Sequence, residues 1–99
     1  MNVRINAVKF VADSKLEQFV QKKVSNLARF FDDIINAEVF LKLENTQDIE
    51  NKVVEIKLDV PGSDLFARKQ SKSFEESTDC AVDALKQQIL KRKEKIRGI

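Results

Sequence analysis

The sequence predicts an α+β domain of order β-α-β-β-β-α, a four-stranded sheet with two helices packed on one face. Three observations predict it. Three stretches alternate apolar and polar residues with period two, two longer stretches repeat apolar residues at three-and-four spacing, and each longer stretch opens on a capping-box spacing of Ser and Glu. Ninety-nine residues with 42% hydrophobic content suit a single domain over 1–99 with a single core.

The first strand is predicted over 2–8, where Val3, Ile5 and Ala7 alternate with Asn2, Arg4 and Asn6. Asp13 or Ser14 then caps a helix, with Ser14 and Glu17 at capping-box spacing. Leu16, Phe19, Val20, Val24, Leu27, Ala28 and Phe31 form its apolar stripe and turn Lys22, Lys23, Asn26 and Arg29 elsewhere. The second strand alternates Ala37, Val39, Leu41 and Leu43 with Glu38, Phe40, Lys42 and Glu44. The third alternates Val54, Ile56, Leu58 and Val60 with Val53, Glu55, Lys57 and Asp59. Polar residues from Glu44 to Lys52 read as a loop between them. Pro61-Gly62 is a turn signal leading to a fourth strand that contains Leu65 and Ala67. Ser73 opens the last helix with Glu76 three residues on, and Phe74, Thr78, Ala81, Val82, Leu85 and Ile89 mark its buried stripe. Run to Ile96, this helix would span about 34 Å and project past strands of roughly 17–20 Å.

Charge is segregated along the chain. Residues 1–66 carry nine Lys/Arg against eleven Asp/Glu, net −2, whereas 67–99 carry nine against five, net +4. Lys86 to Arg97 alone holds six cations and one anion. Such a dipole steers a polyanion to one end of the molecule and reads as a phosphate-binding surface, against the plainer use of Lys to close a helix end.

Other chemistry is poorly provided for. The chain has no His, Trp or Tyr, which removes the usual general base, a usual zinc ligand and the preferred stacking residues. Gly62 and Gly98 are its only glycines, too few for a phosphate-cradling loop. Asp32 and Asp33 fall where turn-forming carboxylates are expected, not metal ligands. Cys80 stands alone in a helical pattern, which excludes an internal disulfide and predicts a packed or half-buried thiol. Apolar runs are only a few residues long, and the N-terminus alternates like a strand. Neither a membrane span nor a signal peptide is expected, and a cytoplasmic location follows. The expectation is no enzyme, no cofactor, no metal and no small-molecule substrate.

The run Asn26-Leu-Ala-Arg-Phe-Phe-Asp-Asp33, the strand Glu38-Val-Phe-Leu-Lys-Leu-Glu44 and the ending Leu85-Lys-Gln-Gln-Ile-Leu-Lys-Arg-Lys-Glu-Lys-Ile96 together resemble the ribosome hibernation-promoting factor family, also called the protein Y or sigma-54 modulation protein family. The likeness covers nearly the whole chain. It implies a non-enzymatic factor, active in stress and stationary phase, that contacts RNA of the small ribosomal subunit where mRNA and tRNA would sit and so holds translation off. The resemblance is to the short type, which acts alone or with another ribosome modulation factor.

Carried over by position, the resemblance implies RNA contacts at Lys23 and Arg29 in the first helix and at Lys91 and Lys95 in the second, with Arg92 and Lys93 continuing the same surface. Asn26, Ala84 and Gln87 stand where relatives often have Lys or Arg, and Lys22 and Lys86 offer cations one position away. The family's Asp-Met-Tyr-Ala-Ala-Ile-Asp stretch is here Ser73-Phe-Glu-Glu-Ser-Thr-Asp79. It keeps a capping residue and the final Asp, but lacks the Tyr and adds Glu75 and Glu76.

Three rival readings stay open at this point. Phe40 and Phe66 are predicted on the sheet face away from the helices, beside Arg4, Lys42, Lys57 and Arg68, where an RNA-recognition domain stacks bases. Glu38, Glu55 and Asp59 share that face, and the aromatic signature of such domains is missing. A protein-interaction module would present the basic C-terminal helix to an acidic partner. A general double-stranded RNA domain would want cations at the start of the last helix, where Glu75, Glu76 and Asp79 stand. Phe30, next to core Phe31, is expected to cover the end of the first helix.

Overall fold

Period-two alternation becomes a sheet whose register aligns the apolar positions of all four strands. The computed structural model describes the backbone of residues 1–44 and 49–97, with side chains up to residue 92. The elements are β1 (Asn2–Ala7), α1 (Ser14–Ser25) running into a 3₁₀ turn (Asn26–Arg29), β2 (Asn36–Leu43), β3 (Lys52–Val60), β4 (Ser63–Ser71) and α2 (Phe74–Arg97). The strands lie in sequence order. β1 pairs with β2 in parallel, as a crossover through α1 allows, and the two later pairs are antiparallel. Ile5, Val39, Ile56 and Ala67 form one row across the sheet in this register. Both helices cover the face this row presents, and Val20, Val24 and Leu27 pack with Leu85 and Ile89 into one core.

The caps form where the sequence placed them. Asp13 closes α1 by accepting from the Leu16 amide at 2.8 Å, which decides between the two candidates. Ser73 Oγ accepts from the Glu76 amide at 3.1 Å ahead of α2. Ser77 and Thr78 are fully buried yet paired. Ser77 donates to the Lys52 carbonyl at 2.6 Å and lies 2.7 Å from Ser71 Oγ, and Thr78 donates to the Phe74 carbonyl at 2.7 Å. The two Ser77 contacts fasten the start of α2 to the ends of β3 and β4, while the Thr78 bond stays within the helix. Gly62 takes φ +86° in the turn between those strands, a value that a side chain would strain.

Three expectations need correction. The first helix does not stay α-helical to Phe31 but tightens at Asn26 into the 3₁₀ turn. Leu27 still enters the core, while Phe31 is left half-buried. Val53, expected on the solvent side, is fully buried. The residues flanking it in register, Lys42 and Gln70, are long enough to cover it, and Gln70 also donates to the Glu50 carbonyl at 2.5 Å. Cys80 is exposed, because it lies about 140° round α2 from Leu85, on the side turned from the sheet. The predicted loop from Glu44 to Lys52 is closed by the Glu44 amide on the Asn51 carbonyl at 2.9 Å, and its residues 45–48 lie outside the described residues.

Candidate nucleic-acid interface

α1 and α2 lie side by side and run in the same direction. Contacts advance together along both helices. Phe19 shares a hollow with Glu75, Lys23 pairs with Asp79, Asn26 shares a groove with Val82 and Asp83, Phe30 lies under Lys86, and Phe31 lies under Arg92. A parallel pair brings both helix C-termini to one end of the domain, where the two backbone dipoles favour cations. The opposite end gathers Asp13, Glu17, Glu75 and Glu76. Charge therefore changes sign along the helix layer, and the sequence dipole becomes a spatial one.

The predicted cations differ in what they touch. Lys22 is exposed on α1. Lys23 is half-buried, with Nζ 3.2 Å from Asp79 and 5.6 Å from the Phe19 ring centre. Arg29 is exposed at the end of the 3₁₀ turn, in a shallow hollow with Phe30, Phe31, Asp32 and Asp33. Lys86 lines the interhelical groove with its Nζ 4.8 Å over the Phe30 ring, so Phe30 supports a cation as well as capping the helix end while remaining 44% exposed. Lys91 is exposed, about 140° round α2 from Lys86, and thus faces away from the groove. The side chains of Lys93 and Lys95 lie outside the described residues, although their backbone continues α2. Among the described residues no carboxylate lies within ion-pair distance of Lys22, Arg29, Lys86 or Lys91.

Arg92 does not continue the surface of Lys91. It stands seven residues after Leu85 and three after Ile89, so it returns to the buried stripe and points back at the domain. Its Nη1 donates to Ser63 Oγ at 2.8 Å, its Nη2 donates to the Pro61 carbonyl at 2.6 Å, and its guanidinium carbon lies 5.8 Å from the Phe31 ring centre. That spacing from Leu85 and Ile89 was the available sequence signal. Gln88 was missed as well. Its side-chain amide donates to the Phe66 carbonyl at 2.8 Å and clips α2 onto the outer edge of β4.

The open sheet face carries cations of the same kind in another state. Lys42 lies 3.1 Å from Glu55, Lys57 lies 3.5 Å from Asp64, and Arg68 bridges Glu44 at 2.6 Å and Glu55 at 3.2 Å. Exposed pairs of this sort stabilise by under about 1 kcal/mol each. Their consequence is that these three cations are neutralised beside Phe66, 51% exposed, while Arg4 on the same face has no carboxylate within ion-pair distance among the described residues.

The family model described as sigma 54 modulation protein / S30EA ribosomal protein matches residues 3–97 of the chain. A ribosome hibernation promoting factor from Pseudomonas putida is 30% identical over 99 residues, spanning all of this chain and 93% of that protein. The ribosome hibernation promotion factor of Bacillus subtilis is 30% identical over 98 residues, 97% of this chain but only 50% of that longer protein. Among solved structures, the N-terminal domain of Thermus thermophilus Protein Y superposes with a TM-score of 0.76 at 26% identity, over 90% of this chain and 96% of that one. A ribosomal subunit interface protein from Coxiella burnetii shares the fold, with a TM-score of 0.83 at 20% identity over 94% and 98%.

Proposed function

Since the chain belongs to the sigma 54 modulation protein / S30EA ribosomal protein family, we propose that it is a ribosome-associated hibernation factor which seats the basic end of its helix pair on small-subunit rRNA and blocks translation. The observation that carries this reading is the convergence of two parallel helix ends whose Lys22, Arg29, Lys86 and Lys91 have no carboxylate partner among the described residues. Lys23 joins them from its Asp79 pair, and Lys93 and Lys95 extend the surface along α2.

The chemistry required is positioned charge. Cations on two neighbouring helices bridge phosphates of two RNA segments and so read backbone shape without reading sequence. The groove holding Lys23 and Lys86, which Asp79 and Asp83 also line, takes one backbone, and Lys91, turned well away from it, meets another. At the far end the first-turn acids repel phosphate, which sets the orientation of the domain on its RNA. Inhibition is occupancy of the place where mRNA and tRNA would sit, with no bond made or broken and no cofactor. Six phosphate contacts give log affinity against log salt a slope of roughly −4 to −5.

The test is competition. Prebound tRNA and mRNA should exclude the protein from small subunits, and adding the protein to a purified translation system should stop initiation in proportion to occupancy. Undiminished binding to subunits already filled with tRNA and mRNA would sink the proposed location.

A further inference from the structure

Resting on that reading, we infer that Arg92 is a positioning residue for the RNA-binding end of α2 and not itself a phosphate ligand. A guanidinium that grips phosphate must offer its donors outward. Here Nη1 and Nη2 donate inward to Ser63 Oγ and the Pro61 carbonyl, and Nε is buried without a hydrogen-bond partner. The guanidinium also lies against the Phe31 ring, so one side chain joins α2, the turn between β3 and β4, and the exit of α1.

The position of this brace explains its use. Ile89 is the last buried apolar residue of α2 among the described residues, yet the helix continues to Arg97. A helix end is held in place by its tertiary contacts. Arg92 supplies the next anchor one turn on and holds the stretch bearing Lys91, Lys93 and Lys95 at a set angle to Lys86 and Arg29. Only Arg fits the task, because its planar fork reaches two acceptors while lying near a ring face, and Lys offers a single charged point. The turn contributes too. Pro61 and Gly62, with Gly62 at φ +86°, form the bend whose carbonyl and neighbouring hydroxyl receive the fork.

The experiment compares Arg92→Lys, Arg92→Gln, Ser63→Ala and Lys91→Gln by affinity for isolated small subunits across a salt series, and by amide hydrogen exchange of the free proteins. Ser63→Ala alters no charge, and Arg92→Lys keeps one. Both should weaken binding about threefold to tenfold, the size of one hydrogen bond's net contribution, with the salt slope of the wild type. Both should also speed exchange after Ile89 while leaving β2 and β3 unchanged. Lys91→Gln should instead flatten the slope by roughly 0.7 to 0.9. Wild-type affinity in Arg92→Lys beside a flattened slope in Arg92→Gln would make Arg92 a phosphate contact. Unchanged exchange, or faster exchange throughout the sheet, would equally overturn the brace. Because exchange needs no ribosome, a wild type that ignores small subunits would end the functional reading and still leave the brace to be judged.

Discussion

The open face of the sheet and the C-terminal end of the helix pair carry the same kinds of cation, but on the sheet three of the four, all but Arg4, are paired with carboxylates, whereas most at the helix end are not. On the sheet, Lys42, Lys57 and Arg68 each lie within 3.5 Å of a carboxylate, and Glu55 serves two of them. At the helix end Lys22, Arg29, Lys86 and Lys91 have no such neighbour among the described residues, and two helix dipoles add negative potential that holds them there. The difference arises from topology. Neighbouring strands bring side chains distant in sequence within reach of one another, directly across for Glu55 and Arg68 and diagonally for Lys42 with Glu55 and Lys57 with Asp64. The parallel helices instead bias charge lengthwise, with Asp13, Glu17, Glu75 and Glu76 towards one end and Lys22, Arg29, Lys86 and Lys91 towards the other.

The largest expected effect breaks the helix end. Changing Lys22, Arg29, Lys86 and Lys91 together to Gln should flatten the salt slope by about 3 and reduce small-subunit affinity by several orders of magnitude at low salt, measured by filter binding over a salt series. The next converts the sheet face towards the helix end. Glu55→Gln removes the carboxylate shared by Lys42 and Arg68, so binding to arbitrary RNA should rise severalfold, while urea unfolding shows a loss under about 1 kcal/mol. Smaller still, Asp79→Asn releases Lys23 within the groove, and affinity should rise about twofold to fivefold with a slope steeper by up to about 0.9. The smallest effect belongs to Lys42→Gln, Lys57→Gln and Arg68→Gln made together. Affinity for small subunits should change by less than about threefold, with no change of slope, because each of these charges is already neutralised by a neighbour.

Periodicity made most of this architecture legible. Alternation through Val3, Val39 and Ile56 assigns strand faces, and the stripe from Phe74 to Ile89 is buried as spaced. Capping chemistry located both helix starts at Asp13 and Ser73. What the pattern could not carry is pairing: strand order, the parallel run of the two helices, and which carboxylate meets which cation all depend on contacts distant in sequence. Lys23 and Asp79 are an example, joined across 56 positions. Arg92 is a different kind of case. Its spacing from Leu85 and Ile89 continues the buried stripe, but a cation in a basic run is naturally read as surface, and only the acceptors at Pro61 and Ser63 show where its guanidinium turns. Val53 and Cys80 were also misplaced, one buried between the long register partners Lys42 and Gln70 and the other turned from the sheet by helical phase.

The most direct measurement is co-sedimentation with separated ribosomal subunits, comparing the wild type, the four-residue helix-end variant and the three-residue sheet-face variant at low and high salt. The account predicts saturable, salt-sensitive association of the wild type and the sheet-face variant with the small subunit, and none by the helix-end variant. Association that survives in the helix-end variant but disappears from the sheet-face variant, or a wild type that passes over the small subunit altogether, would contradict it.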